Sequence, residues 1–326
     1  MRNELKTSLS QKKTLLITSL LAILFGILSC ALGDIIMPLL IASLATLYLF
    51  DSSVRRSYSV SVSLVLIVLN LSSFLFGISV SAFAPCSILL GLILCYSYLK
   101  EQSKSDSAYI MTLVATAFTL LSCVLLAMVE QGTYTWEAVT SFYGDLHDSI
   151  RTLFISSMVD VYTASGIEIT EEIIASVFDI QVRSLVSYFV IGSLVIVGLG
   201  MKAFTFAVSK LSENKQHIEE WRFKATNIFA YFYFVLIIAS LFVGSVDSIF
   251  AVSVLNLYNI FLVIFAYVGF NFVLTILTTR MKKGTAFIVL IALLAIFSSL
   301  IMQLLAVMGV MFTLRSSHSN SKPLNP

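Results

Sequence analysis

Nine stretches of this chain run for sixteen residues or more with almost no charge, and charged or turn-forming residues separate most of them. They cover residues 14–32, 35–50, 58–77, 81–99, 107–129, 185–206, 226–243, 250–278 and 285–312. Lipid offers no water to a backbone N–H or C=O, so a segment buried there must pair its own polar groups. For single apolar runs of this length that means a helix. The first run alone gives about 28 Å of helix at 1.5 Å per residue. The expected fold class is all-α: a polytopic transmembrane helical bundle of about nine spans with an extracytoplasmic amphipathic helical insert.

Composition supports this. Of the 326 residues, 58% are hydrophobic and 12% charged, about half the charge of an ordinary soluble domain. Mean hydropathy is +0.97. The basic residues are scattered over short loops, which gives no footprint for nucleic acid. Expected division is a first membrane half, 1–129; an extracytoplasmic segment, 130–182; a second membrane half, 183–314; and a Ser- and Asn-rich tail, 315–326, expected to be disordered.

The polar exception is 130–179. It carries Glu130, Glu137, Asp145, Asp148, Asp160, Glu168, Glu171, Glu172 and Asp179 against Arg151 alone. Val139, Phe142, Leu146, Ile150, Leu153, Phe154, Met158 and Val161 recur mostly at three- and four-residue steps, which predicts an amphipathic helix. Its apolar stripe should lie on the bundle mouth or in the outer leaflet. Gly166 breaks the pattern, and Thr170-Glu171-Glu172 reads as a second helix start with acids in its first turn.

Orientation follows from the basic residues. With the N-terminus inside, Arg2, Lys6, Lys12, Lys13, Arg55, Arg56, Lys100, Lys104, Lys202, Lys210, Lys215, Arg222, Lys224, Arg280, Lys282 and Lys283 all fall inside. Arg151, Arg183, Arg315 and Lys322 fall outside. The first run could also serve as a secretory signal, but a second apolar run begins at Ile35, which favours an uncleaved span. Gly33-Asp34 is a candidate tight turn. Spans one and two are either a full hairpin or a re-entrant pair, since the second is short and has Pro38 near its start.

Chemistry is sparse. No zinc-protease, phosphate-loop or serine-elbow motif is present, and the chain is expected not to be an enzyme. Cys30, Cys86, Cys95 and Cys123 lie in or beside apolar runs and imply no disulfide framework. His147, His217 and His318 are scattered, so neither a metal nor a cofactor is implied. Asp34, Asp51 and Asp247 map to span ends, which argues against autonomous ion-coupled transport. Acidic pairs such as Asp145 with Asp148 read as the wet face of a helix.

Amides within the spans are the remaining signal. Asn256, Asn259, Val263, Tyr267, Asn271 and Thr278 share an arc of about 120° on span eight. Asn70 on span three and Gln303 on span nine join them, by rise per residue about 18 Å above Tyr58 and about 27 Å above Thr285. The candidate ligand contacts are thus Asn70, Asn256, Asn259, Tyr267, Asn271 and Gln303, several of them in the outer half beneath the insert. The competing reading is hydrogen bonding between helices, because an unpaired amide in hydrocarbon is costly.

Trp221-Arg222, Asn259 in the next span, Gly269 and Gly309-Val310 resemble the YybS-like family of uncharacterised bacterial membrane proteins. The match covers mainly 221–315. Phe223 stands where that family has a proline, and the aspartate that follows its last glycine is absent. The resemblance implies a multi-span protein of the bacterial cytoplasmic membrane with a helical insert. It also implies a fold similar to the substrate-capturing subunits of energy-coupling-factor transporters. On that basis the chain is expected to be a small-molecule binding or transport subunit, with the lipid bilayer, a membrane-protein partner and a small-molecule ligand as its partners. The alternative is a structural or assembly protein whose external helices dock another protein.

Orientation has a direct test. In a background free of the four native cysteines, single cysteines at Ser149 and Ser176 should react with an impermeant thiol reagent on intact cells. Cysteines at Ser103 and Ser212 should react only once the membrane is opened. The reverse pattern would overturn the N-terminus-inside orientation.

Overall fold

A computed structural model describes residues 2–51, 57–78, 82–211, 225–243, 248–296 and 298–320. Every described element is helical apart from turns. The helices are α1 (Arg2–Leu32), α2 (Met37–Asp51), α3 (Ser57–Leu75), α4 (Phe83–Leu99), α5 (Lys104–Glu130), α6 (Trp136–Ala164), α7 (Glu171–Arg183) and α8 (Leu185–Leu211). They continue with α9 (Asn227–Phe242), α10 (Ile249–Leu277), α11 (Lys283–Ile296) and α12 (Ser298–Asn320). Arg55, Arg56, Ser212, Lys215, His217, Trp221 to Lys224, Asp247 and Lys322 lie outside the described residues.

Each expected span falls on a helix. The run 285–312 is described as α11 up to Ile296 and α12 from Ser298, with residue 297 outside the described residues. α12 continues to Asn320, so 315–320 are helical where a disordered tail was expected. Extending a formed helix by one residue costs far less than starting one.

Among the described residues, five helices are long and apolar enough to cross a membrane: the Lys12–Leu32 part of α1, with α3, α5, α8 and α10. α2, α4 and α9 are shorter apolar helices, as are the apolar parts of α11 and α12. The chain packs as two compact units. One comprises Met1–Asp179 with Gly192–Arg222, the other Ile180–Ile191 with Phe223–Pro326.

In the first unit, α2 is the core. Its residues from Leu40 to Tyr48 are all buried; a helix apolar all round belongs inside. Its 15 residues give only about 22 Å, less than the roughly 30 Å of bilayer hydrocarbon. Gly33, at φ +59, turns the chain from α1 into it. α1, α3 and α4 surround it through Leu15, Ala22, Leu66 and Phe83. Gly91 brings α4 close, since a Cβ there would stand 3.0 Å from the Leu44 Cβ and 3.3 Å from the Ala45 nitrogen. Gly200 of α8 approaches the Pro38 carbonyl in the same way, at 3.4 Å.

The acid-rich segment folds as expected into two helices. Thr135 caps α6 by accepting from the Ala138 N–H, and Gly166 ends it at φ +71. α7 packs its Phe178 against Phe154 and His147 of α6, each with ring centroids 5.5 Å apart, and Arg151 reaches Asp179 at 3.5 Å. The Tyr143 hydroxyl donates to the Cys123 carbonyl of α5 at 2.8 Å; burial, helped by Cys123, pushes that hydroxyl up to about 12. Only part of the expected stripe is covered. Val139 is buried, Phe142, Phe154 and Met158 are half-buried, and Leu146, Ile150, Leu153 and Val161 stay exposed.

The second unit is held by the contact of α10 with α12. A Cβ on Gly269 would run into the Leu305 carbonyl, and one on Gly309 into the Phe265 carbonyl. Backbone meets backbone there. Tyr233 of α9 stacks on Phe265 at 5.3 Å and on Tyr258 at 5.9 Å, closing a core with Ala230, Ala266, Leu305 and Ala306.

Gly269→Ala and Gly309→Ala should each destabilise the protein by at least about 1–3 kcal/mol, the usual cost of overpacking. Gly144→Ala, at an exposed helical position with nothing within 4 Å, should be neutral or stabilise by up to about 1 kcal/mol. Thermal melts of the three variants in mild detergent check the contrast.

Candidate ligand-binding sites

Two places hold polar groups among apolar helices. The first is a groove in the first unit, walled by α2, α3 and α4, with a volume of about 490 Å³. Its shape follows from how α2 holds its neighbours. Gly91 lets α4 lie against α2, whereas α3 is held by polar side chains. The Tyr48 and Ser63 hydroxyls lie 2.9 Å apart, and Asp51 accepts from the Ser59 N–H at 2.8 Å and from the Ser59 hydroxyl. Ser59 and Ser63 sit one turn apart on one face of α3.

The groove is graded along its length. Tyr48, Ser59, Ser63 and Tyr96 lie toward the end where α2 finishes and α3 begins, alongside Val60, Cys95 and Leu99, while Leu64, Ile67, Ile88 and Leu92 line the rest. Its outer rim is apolar and open, with Val60 and Leu64 both 58% exposed. Asp51 is fully buried behind Ser59, and its Oδ1 has no hydrogen-bond partner among the described residues. Sequence reading placed Asp51 at a span end and missed its role. The available signal was the Ser59–Ser63 spacing opposite the only carboxylate on α2.

The second place is the amide face of α10. Asn256 is buried, and its side chain is fully used. Its Oδ1 accepts from the Ser187 N–H at 2.8 Å, and its amide donates to the carbonyls of Arg183 at 2.7 Å and Val252 at 2.8 Å. Those partners flank Ser184, where the chain passes from α7 to α8. A helix junction leaves backbone groups without intrahelical partners, and Asn256 supplies them.

The other sequence candidates are placed differently. Asn271 donates to the Tyr267 carbonyl of its own helix at 2.9 Å. Tyr267 is 55% exposed, Gln303 is exposed on α12, and Asn259 is half-buried. Asn70 is half-buried on α3 in the first unit, whereas the other five belong to the second. Asn256 bridges α10 to the α7–α8 junction.

Asn256→Leu should cost on the order of 1–3 kcal/mol, because it strands a buried N–H and carbonyl at the junction. Asn259→Leu should cost less than 1 kcal/mol, near the average for hydrogen bonds between membrane helices of roughly 0.6. Comparing their unfolding midpoints separates a structural amide from one free to meet a ligand.

Comparison with known proteins adds the broad class. No curated protein and no solved structure matches the chain. A family model described as "Predicted membrane protein (DUF2232)" matches residues 16–311. That interval takes in every apolar helix except the ends of α1 and α12, so the chain belongs to this family of predicted membrane proteins.

Proposed function

We propose that this protein is the ligand-capturing subunit of a membrane assembly, holding a small molecule in the groove between α2, α3 and α4 and acting with a membrane-protein partner. The groove carries the reading. It joins hydroxyls at one end to an apolar wall at the other, which is the usual make-up of a small-molecule site. The similarity to substrate-capturing transporter subunits fits, because such subunits bind without driving transport themselves. The proposed setting is the bacterial cytoplasmic membrane, with the N-terminus in the cytoplasm and 130–182 outside.

One observation favours a second reading. Leu146, Ile150, Leu153 and Val161 are exposed on α6, on an acid-rich hairpin suited to docking a protein rather than covering a ligand. Under that reading the protein is an assembly factor, and the groove is a packing irregularity.

Thermal unfolding against a panel of metabolites and lipids tests the choice. A compound that binds should stabilise the wild type by about 2.7 kcal/mol at a hundredfold excess over Kd. It should have no effect on Leu64→Trp, whose larger side chain fills the groove. A wild type that no compound stabilises, yet which co-purifies with another membrane protein, would sink the ligand-capturing reading and leave the docking one.

A further inference from the structure

We infer that the groove takes a membrane amphiphile, with its acyl chain along Leu64, Ile67 and Leu92 and a hydrogen-bond-donating head group at Ser59. This deepens the reading above and rests on the groove being a ligand site. Three observations lead to it.

The first is access. Val60, Leu64 and Leu92 are exposed at 58%, 58% and 47% along the groove. In a membrane protein such a rim faces lipid, so the opening is lateral and admits molecules already in the bilayer. The second is the gradient. Polar side chains gather at the helix-end portion, and the wall toward Ile67 and Ile88 is hydrocarbon. A ligand matching that gradient has one polar end and one apolar end.

The third observation sets the chemistry of the head. Both donors of Ser59 are committed to Asp51, the backbone N–H at 2.8 Å and the hydroxyl beside it. A hydroxyl whose proton is committed has only lone pairs left for a second partner. Ser59 therefore accepts hydrogen bonds here and does not offer them, whatever the Tyr48–Ser63 pair donates one turn away. The Oδ1 of Asp51, without a hydrogen-bond partner among the described residues, is a further acceptor. A head group that bonds to Ser59 must bring the proton: an ammonium or a hydroxyl, and not a quaternary amine.

The test uses the full chain in mild detergent, stripped of lipid and then offered three phospholipids with identical acyl chains. Phosphatidylethanolamine carries an ammonium donor, phosphatidylglycerol hydroxyl donors, and phosphatidylcholine no donor on its head. Native mass spectrometry counts the lipids retained. The wild type should keep the two donor lipids over phosphatidylcholine by about tenfold, the ratio a single hydrogen bond to an acceptor of this kind brings. Retention of ethanolamine alone identifies the ammonium, and retention of both identifies any donor.

Two variants separate head from tail. Ser59→Ala should narrow the preference for the donor lipids, the Asp51 carboxylate remaining as an acceptor, while tails still bind. Leu64→Trp, at an exposed position that leaves the core untouched, should reduce all three. Equal retention of the three lipids by the wild type would overturn the inference. If Leu64→Trp nonetheless abolishes stabilisation by a soluble compound, the groove remains a ligand site of another chemistry. If Leu64→Trp changes neither lipid nor compound binding, the groove reading falls as well.

Discussion

The contact between Gly269 and Gly309 is the tightest glycine approach among the described residues. Helices in lipid gain little from the hydrophobic effect, because a leucine is as comfortable against acyl chains as against another leucine. What holds them is close van der Waals contact and buried polar links. At Gly269 and Gly309 the absence of a Cβ on either side lets each helix reach the other's carbonyls. The second unit's aromatic stack of Tyr258, Tyr233 and Phe265 is built beside that crossing. Gly91 and Gly200 do the same for α2 in a milder form, at 3.0 to 3.4 Å.

Much of this was legible from residue order. Long apolar runs forced helices, and the Gly166 break with its following Glu171-Glu172 start placed α6 and α7 correctly. Gly269 and Gly309 were noticed singly, forty residues apart, as marks of a resemblance. That they face each other is a fact of three dimensions which no periodicity shows.

The site was less legible than the fold. An amide in an apolar run announces only that it needs partners. Asn256 finds them at the α7–α8 junction, so a residue that read as ligand-facing repairs a broken helix instead. Most hydroxyls in these helices are similarly occupied. Thr46, Thr112 and Thr313 each donate to the carbonyl four residues back in their own helix. Polar residues in such a chain are thus largely spent on backbone, and the informative ones are those that bond across helices.

Tyr48 to Ser63 and Asp51 to Ser59 are such cross-helix bonds, and they tie α3 to α2 beside the groove. A glycine contact brings two helix axes together, while a tyrosine or aspartate reaching for a serine holds them apart by the length of the side chain. α2 uses the first device toward α4 and the second toward α3. The groove lies between these two differently held neighbours. The same hydrogen bonds that tie α3 to α2 also fix the polarity at Ser59, because its proton is spent on Asp51.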